Sequence, residues 1–301
     1  MSNKTQCPKR FIKTGLLFVF LLIGICIIWK QIFSAGHIDI FDAENHDATA
    51  LVTAKAKNKI NFTVAVNISE IQDTRYLELV NKNHSVKNES ENKPLVSAWS
   101  NAAVSTNDIT IHDTALKAIV EMFTAARETQ SFNALYIGSG YRSYDEQKQL
   151  YNNAKDKAFV QPPNHSEHHT GLAVDICVLD ISPHDMAVSR EGKWLAGNSW
   201  KYGMLLRYTD DKRKITGIAG EPWHFRYVGQ PHAWFCHQNN LCYEEYIQFL
   251  KVNKGYQTIL NGKTYSVLRQ EPQNGIIYVP AHQNYNVSSD NTGGFIVTSW
   301  E

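Results

Sequence analysis

Apolar side chains recur along the middle of the chain with the periods of helices and of strands. Residues 113–128 place apolar side chains three or four positions apart, which predicts an amphipathic helix with Asp113 or Thr114 as its cap. The segments 144–157 and 243–252 predict two further helices. Because short apolar runs separate these helices, the pattern predicts an α+β fold.

The short apolar runs predict strands, because alternating or continuous apolar residues bounded by turn residues are typical of strands. Such runs are residues 76–80, 135–139, 172–178, the second half of 199–208, and 221–227. Together with the helices they predict one domain, which the pattern bounds at residues 70–254.

The pattern changes near the C-terminal end, where residues 255–301 predict a small β subdomain. An Asn261-Gly262 turn joins two alternating runs, which predicts a hairpin. Two strand-like runs follow, at 276–279 and 295–298.

The N-terminal end has the pattern of a membrane anchor. Residues 1–13 contain several basic side chains and precede a charge-free apolar run at 14–29. This pattern predicts a transmembrane signal anchor over residues 14–33 with a cytoplasmic N-terminus. A cleaved signal peptide is the alternative, since the small residues at 34–36 could precede a cut. Lipid attachment at Cys26 is disfavoured by the large Ile25 before it. The rest of the chain is therefore expected on the outer side of the cell membrane.

Composition narrows the class of protein further. A chain of 301 residues with 43% hydrophobic content can bury one sizeable core. Residues 34–69 are polar and short of large apolar side chains, which is typical of a stalk or linker with little fixed structure. The formal net charge is +1 and the basic residues are interspersed with acidic ones, so no nucleic-acid partner is expected.

Three cysteines lie in the part of the chain that is expected outside the membrane. Cys177 follows an apolar strand pattern and is predicted to be a buried thiol. Cys236 and Cys242 flank a short polar loop, and export permits a disulfide between them. A bridge is expected here, with two free thiols as the alternative.

A carboxylate interrupts one of the apolar strand patterns. Asp175 lies between Val174 and Ile176, and burying an unpaired charge is costly. A divalent cation would satisfy this carboxylate, and His168 ends the preceding loop, where it could be a second ligand. A histidine or aspartate taken singly is more often a satisfied structural residue, so the metal hypothesis depends on the group.

A second strand-like stretch, rich in aromatic residues, carries another histidine and another acid. In extended backbone Glu221 and His224 would face opposite sides, but Pro222 could break the alternation. Catalytic zinc typically has three protein ligands from histidine and carboxylate and keeps a fourth position open. His168, Asp175 and His224 would form such a set, with Glu221 as the spare acid.

A glycine turn after the strand at 135–139 delivers an arginine. The guanidinium of Arg142 stays charged in a pocket and can hold a carboxylate or a developing oxyanion. A peptidase that acts on a free C-terminus needs such a group. Pairing of Arg142 with Asp145 or Glu146 on the next helix is the structural alternative.

Several motifs, taken together and in this order, resemble VanY-type zinc D,D-carboxypeptidases. They are LVNK at 79–82, SGYRS at 139–143 with Gln147 after it, SEHHTGLAVD at 166–175, WKYG at 200–203 and EPWH at 221–224. The resemblance covers about residues 75–254 and implies a small central antiparallel sheet with flanking helices. The anchor and the β subdomain are similar to those of membrane-bound VanY proteins of glycopeptide-resistant Gram-positive bacteria.

The resemblance also implies a role for each motif residue. His168, Asp175 and His224 would bind one zinc ion per chain, and Glu221 would be the general base. Arg142 would stabilise the oxyanion. The residues expected to contact the substrate or line its pocket are Gln147, Ser166, Tyr141 and Trp223. For all four, an ordinary place in the core, in a loop or on a helix surface remains the alternative. Two further histidines, His165 and His169, match no family ligand and are expected in solvent or behind the ligands.

The activity implied is removal of the C-terminal D-alanine from the pentapeptide stem of peptidoglycan precursors, or cleavage of a D-Ala-D-lactate end, as a contribution to vancomycin resistance. Serine chemistry is not expected, because Ser139 and Ser143 lack the Ser-x-x-Lys arrangement. An L,D-carboxypeptidase or an endopeptidase on the same scaffold is one alternative. A non-catalytic peptidoglycan-binding protein is another, although such a protein would be expected to lack the acid at Glu221.

Overall fold

The computed structural model describes residues 39–40, 62–86 and 94–301. The strands, in chain order, are β1 (Asp39–Ile40), β2 (Phe62–Asn67), β3 (Leu95–Ser97), β4 (Thr110–His112), β5 (Leu135–Ser139), β6 (Ala173–Val178), β7 (Met204–Tyr208), β8 (Glu221–Tyr227), β9 (Gly255–Leu260), β10 (Lys263–Gln270), β11 (Ile276–Pro280), β12 (Asn284–Ser289) and β13 (Phe295–Trp300). The α-helices are α1 (Asp113–Gln130), α2 (Tyr144–Asn153), α3 (Arg190–Asn198), α4 (Arg213–Thr216), α5 (Gln230–Gln238) and α6 (Tyr243–Asn253). The predicted mixture of helices and strands is confirmed.

Four strands form an antiparallel sheet in the spatial order β5-β6-β8-β7. Val174, Ile176 and Val178 of β6 are buried in the main hydrophobic core, whereas Asp175 and Cys177 between them are only partly buried. Because successive side chains of a strand point to opposite faces, Asp175 faces away from this core. The sheet therefore separates an apolar face from a face that can carry chemistry.

Helix α1 contributes its apolar stripe to the same core. Its cap differs from the prediction, because the cap residue is His112 and not Asp113 or Thr114. The ring nitrogen Nδ1 of His112 accepts a hydrogen bond from the backbone N–H of Thr114 at 3.2 Å, which satisfies one of the free donors of the first turn.

Helix α2 begins where predicted and ends earlier. Ser143 caps it in a capping box with Glu146, each side chain bonding the backbone N–H of the other. The helix ends at Asn153 and not at residue 157, because Asp156 caps a separate 3₁₀ turn, Lys157–Phe159. Helices α3 and α5 were not predicted, since glycines in α3 and Pro231 in α5 weaken the helical pattern.

A five-stranded antiparallel sheet in the order β1-β9-β10-β13-β12 occupies the C-terminal part. The predicted hairpin is confirmed as β9 and β10, whose turn residues Asn261 and Gly262 have φ angles of 52° and 77°. Both angles lie in the left-handed region that this tight turn requires. Strand β12 was not predicted, since the sequence of Asn284–Ser289 is mostly polar.

Residues 62–67, which the sequence analysis assigned to the stalk, form strand β2. This strand pairs antiparallel with β11. Phe62 is buried in a second apolar cluster together with Ile277 and Val279. Ordered structure therefore begins before residue 70. The alternating run of β2 is short, and the polar residues around it hide it in the sequence.

Residues 76–80 were predicted as a strand and are irregular instead. Leu77, Leu79 and Val80 are buried, as their apolar pattern indicates. Their backbone does not join a ladder, and the N–H of Leu77 donates to the side chain of Ser288 at 2.9 Å. The apolar alternation here reflects burial and not a neighbouring strand.

The expected bridge between Cys236 and Cys242 is not formed, and both are free thiols, as is Cys177. Cys236 is buried in α5, whereas Cys242 lies at the N-terminus of α6, where its backbone N–H donates to Glu245. The predicted anchor, residues 14–33, lies outside the described residues. Within the described ranges, no helix combines the length and the apolar character needed to cross a membrane.

Candidate metal centre

Three polar side chains from two strands and a turn meet on the face of the sheet that lies away from the core. His168 is in the 3₁₀ turn Glu167–Thr170 before β6, Asp175 is in β6 and His224 is in β8. Asp175 and His224 are direct partners across the two strands, so their side chains project to the same side. Nitrogen and oxygen atoms of the three side chains lie within 4.8 Å of one another, a spacing that can hold a metal ion.

The orientation of His168 is fixed by the backbone. Its Nδ1 lies 2.7 Å from the carbonyl oxygen of Gly140. A carbonyl only accepts, so Nδ1 carries the hydrogen and Nε2 keeps a free lone pair. Burial and the nearby Arg142 lower the pKa of His168, which favours this neutral form.

Asp175 directs a buried oxygen atom towards both imidazoles. Its Oδ1 lies 3.5 Å from Nε2 of His168 and 3.3 Å from Nδ1 of His224, and it is buried without a hydrogen bond. Burial opposes ionisation, but the two imidazoles hold the pKa of Asp175 well below its usual range. Two ligand atoms of a tetrahedral zinc ion, each about 2.0 Å from the metal, would be about 3.3 Å apart. The donor set and its spacing therefore fit zinc.

An irregularity in β8 places Glu221 beside the ligands. Between the pairs Leu206–Phe225 and Tyr208–Glu221, β8 contains two more residues than β7. Oε2 of Glu221 thereby lies 3.6 Å from Nδ1 of His224, although regular alternation would put the two residues on opposite faces. The predicted break of alternation next to Pro222 is present. Burial raises the pKa of Glu221 to about 8.

The guanidinium of Arg142 lies beside the same group of side chains. It donates to Oε1 of Gln147 at 2.7 Å and to Oγ of Ser139 at 3.0 Å. One of its nitrogens is 3.8 Å from Oδ2 of Asp175. Glu146, the alternative partner considered from the sequence, instead accepts from the backbone N–H of Ser143. Arg142 is thus held in place with its charge next to the ligands.

Comparison with known proteins gives consistent results. The family profile VanY, described as D-alanyl-D-alanine carboxypeptidase, matches residues 108–230. The bifunctional D-Ala-D-Ala dipeptidase and D-Ala-D-Ala carboxypeptidase VanXYC of Enterococcus gallinarum is 33% identical over 186 residues, which are 58% of this chain and 94% of that protein. The chain belongs to the VanY family.

Two further relatives show how far this similarity extends. A D-alanyl-D-alanine carboxypeptidase of Enterococcus faecium is 41% identical over 163 residues, 54% of this chain and 52% of that protein, so the alignment spans about half of that relative. The crystal structure of the D,D-dipeptidase VanXYg with a D-Ala-D-Ala phosphinate analogue superposes with a TM-score of 0.67 at 30% identity. It covers 79% of this chain and 98% of the other. The structural similarity therefore extends beyond residues 108–230, which the family profile matches.

The four residues expected to contact substrate in this VanY-family chain occupy different surroundings. Gln147 is almost fully buried, and its Nε2 donates to the carbonyl oxygen of Gln161 at 2.6 Å, so both ends of its amide are engaged. Ser166 is buried at the start of the 3₁₀ turn. Tyr141 is partly buried and donates its backbone N–H to Thr110. Substrate contact by these residues stays a prediction.

Trp223, the fourth of these residues, belongs to an aromatic cluster. Its ring lies 6.3 Å from that of Phe159 and 5.0 Å from that of His184, between ring centroids. It also packs against the main core. The structure thus places Trp223 in the wall beside β8, and none of its ring contacts is to the three ligands.

His169 is not a ligand but is buried directly behind the site. Its Nδ1 lies 2.7 Å from the carbonyl oxygen of Arg142, and its Nε2 accepts from the backbone N–H of Asn164 at 3.1 Å. His165 lies farther out, with Nδ1 2.7 Å from the carbonyl oxygen of Asn81. Both rings connect loops near the VanY motifs. For His169, the buried position agrees with the expectation of a place behind the ligands.

Sequence reasoning missed a set of buried charges behind His224. Glu167 contacts His224, Arg207 and Arg226, and Arg207 continues to Glu244. The signal was available, because Arg207 and Arg226 interrupt apolar strand patterns in the same way that Asp175 does. Applied to all charged residues within strands, that criterion would have found both arginines.

Proposed function

We propose that this chain is a zinc-dependent D,D-carboxypeptidase that removes the C-terminal D-alanine from the pentapeptide stem of peptidoglycan precursors. The observation that carries the proposal is the convergence of His168, Asp175 and His224, with Glu221 beside them, in a member of the VanY family. Two imidazoles and one carboxylate are a donor set that catalytic zinc sites use.

Zinc bound by these three residues would supply a Lewis acid for the scissile carbonyl and would lower the pKa of the attacking water. Glu221 is the group that takes the proton of this water. Its carboxyl is close to His224, and burial raises its pKa to about 8, so it can hold the proton taken from the water and then donate it to the leaving amine.

Arg142 is the group that meets negative charge in the substrate. Its bonds to Gln147 and Ser139 fix the guanidinium before substrate arrives, so little reorganisation is needed during the reaction. Its position, 3.8 Å from Asp175, suits stabilisation of an oxyanion that develops next to the cation.

We also propose that the catalytic part acts outside the cell membrane, held by an anchor at residues 14–33. This proposal is supported by the N-terminal sequence, in which basic residues precede an apolar run. The proposed substrate, a peptidoglycan precursor, agrees with this location. Removal of the terminal D-alanine from such stems would contribute to vancomycin resistance. The D-Ala-D-lactate end is an alternative substrate, because it differs from the amide by one N–H.

The test uses the full-length protein purified in detergent and three substrates: a muramyl pentapeptide, a muramyl tetrapeptide and free D-Ala-D-Ala. We expect release of one D-alanine from the pentapeptide, abolished by a zinc chelator and restored by zinc. Glu221→Ala should bind zinc without turnover. Chelator-resistant activity, or activity that survives Glu221→Ala, would contradict the proposal.

A second candidate is D,D-dipeptidase activity, favoured by the match to 94% of the bifunctional VanXYC. Cleavage of free D-Ala-D-Ala in the same assay would establish it. Cleavage of the tetrapeptide alone would assign the L,D specificity that the same scaffold permits.

A further inference from the structure

Glu167 is a fully buried carboxylate that the proposed reaction does not use. It precedes the ligand His168 in the chain, but its side chain reaches the other histidine. Its Oε2 lies 3.4 Å from Nε2 of His224. Its Oε1 accepts from Nε of Arg207 at 2.9 Å and lies 3.2 Å from Nη1 of Arg226. All of these contacts are shielded from solvent.

The two arginines determine what this carboxylate can do. Nε of Arg207 donates to Oε1 of Glu167 and Nη1 of Arg226 lies beside the same oxygen, so Glu167 is paired as a carboxylate, which can only accept hydrogen bonds. Because both arginines face Oε1, Oε2 is left for His224. Since a carboxylate only accepts, Nε2 of His224 carries a hydrogen, and Nδ1 is the ring nitrogen that faces Asp175, 3.3 Å away.

Glu167 is itself held by a chain of buried charges. Arg207 forms two bonds to Glu244 at the start of α6, of 2.9 Å and 2.7 Å. Glu244 also accepts from Nδ2 of Asn81 at 3.0 Å. The bidentate pair with Glu244 restricts the orientation of the Arg207 guanidinium, whose Nε donates to Glu167. The network therefore prevents Glu167 from turning away from His224.

We propose that Glu167 is a positioning residue that sets the tautomer and the ring orientation of His224 towards the bound cation. This inference rests on the proposed metal site. A ligand histidine whose second nitrogen donates to a carboxylate has a fixed ring and a more basic metal-binding nitrogen, and loss of such a partner typically lowers metal affinity about 10- to 100-fold.

The test measures zinc affinity directly, by competition of the full-length protein with a chromophoric chelator. Glu167→Gln keeps the shape of the side chain but removes the charge that dictates the hydrogen on Nε2. We expect its zinc dissociation constant to rise about 10- to 100-fold. The matched control is Glu244→Gln, which removes a carboxylate from the same Arg207 without contacting His224. Its zinc dissociation constant should rise much less than that of Glu167→Gln, because Glu167 keeps its direct contact with His224 and its ion pair with Arg226.

Two outcomes of this comparison would overturn the inference. One is unchanged zinc affinity in Glu167→Gln, and the other is an equal loss in both variants, which would show a merely structural role. Absence of zinc binding by the unaltered protein would instead overturn the proposed metal site, so the two failures are distinguishable.

A second measurement needs no folded Glu167 variant. In zinc-loaded protein with ¹⁵N-labelled histidine, the resonances of His224 are assigned by their loss in His224→Gln. We expect His224 to carry its hydrogen on Nε2 and the resonance of its Nδ1 to be shifted by the bound metal. A hydrogen on Nδ1 would contradict the inference.

Discussion

Glu221 is a carboxyl group in surroundings that disfavour its charge. It is buried, and Asp175 adds a second negative charge nearby, while His224 and Arg142 act in the other direction. The balance raises its pKa to about 8. A carboxyl group of this kind is suited to exchange protons near neutral pH, whereas an exposed glutamate would remain ionised.

Replacement of Glu221 by glutamine should therefore separate binding from turnover. The amide keeps the size of the side chain but cannot take a proton, so we expect kcat on the pentapeptide to fall about 10²- to 10⁴-fold. Zinc content, measured on the same sample, should stay at that of the unaltered protein. A variant that retains most of its kcat would show that another group accepts the proton.

His169 allows a test of how precisely Arg142 must be held. Its ring joins the carbonyl oxygen of Arg142 to the backbone N–H of Asn164, so His169→Ala frees both loops. A small displacement of a positioned group can cost a large factor, and we expect kcat/KM to fall about 10-fold or more. His165→Ala is the control, because His165 contacts the carbonyl oxygen of Asn81 and not Arg142. Equal losses in the two variants, or loss of zinc in His169→Ala, would contradict this account.

Among the elements, the turn from β5 into α2 packs closely against β4. Gly140 supplies the carbonyl oxygen for His168, and a Cβ at this position would lie 2.4 Å from the carbonyl oxygen of Thr110. The close approach between this turn and β4 therefore requires glycine. The turn can approach β4 this closely because Gly140 lacks a side chain.

Gly140→Ala should destabilise the protein by about 1–3 kcal/mol, because the added methyl group forces the backbone apart. It should also weaken zinc binding, since His168 loses its fixed carbonyl partner. Gly197→Ala in α3 is the opposite case. A Cβ there meets nothing within 4 Å, and the substitution should stabilise the helix by about 0.5–1 kcal/mol. Urea unfolding of both variants checks these signs, and a neutral Gly140→Ala would refute the packing argument.

Element prediction from the sequence succeeded where the apolar period was long or a turn was explicit. Helix α1 and the Asn261-Gly262 hairpin belong to this class. It failed where burial and hydrogen bonding came from distant residues. The segment 76–80 is apolar because it is buried, but its backbone is held by Ser288, more than two hundred residues away. Strand β2 is too short to stand out from its polar neighbours, and its pairing with β11, which was predicted as a strand at 276–279, does not follow from local pattern.

The site was more predictable than the fold around it. His168, Asp175, His224 and Glu221 are close together as their motifs implied, because each motif is anchored to an element of the central sheet. The buried charges behind His224 were not found, since their meaning depends on which strands become neighbours. Arg207 and Glu244 are 37 positions apart in the chain, and only the packing of α6 near β7 joins them.

At the scale of the whole molecule, the described residues, 39–40, 62–86 and 94–301, belong to one compact unit. The C-terminal strands are tied to the rest by buried polar contacts. The ring of His232 in α5 lies 2.9 Å from Oγ1 of Thr298 in β13 through Nε2, and its Nδ1 bonds the hydroxyl of Tyr246. The N–H of Leu79 donates to the carbonyl oxygen of Asp290. The stability of the C-terminal sheet is thus coupled to that of the catalytic part.

His232 makes this coupling sensitive to pH. Burial lowers the pKa of His232 from 6.5 to about 3. The unfolded chain takes up a proton on this ring as the pH falls through 6.5, whereas the folded chain does not, so acid favours unfolding. The stability that depends on the neutral ring is present above pH 6.5 and declines progressively as the pH falls towards 3.

Between pH 6.5 and about pH 5, this one group should cost about 1.5 kcal/mol of unfolding free energy. His232→Gln should show a shallower decline over the same interval, because glutamine does not titrate. Urea unfolding at several pH values measures both slopes. Parallel slopes for the two proteins would mean that His232 is not the group responsible.

The pairing of Asp175 with His224 has a consequence for how such chains can vary in length. Shifting one strand past the other by a single position would turn His224 towards the apolar side and place Trp223 beside Asp175, since side-chain direction reverses at every step. An inserted or deleted residue between Ala173 and Asp175 would therefore abolish the cation site outright. The same change in the loop between Tyr208 and Glu221 would leave the register intact, so length differences among functional relatives should be confined to that connection and others like it.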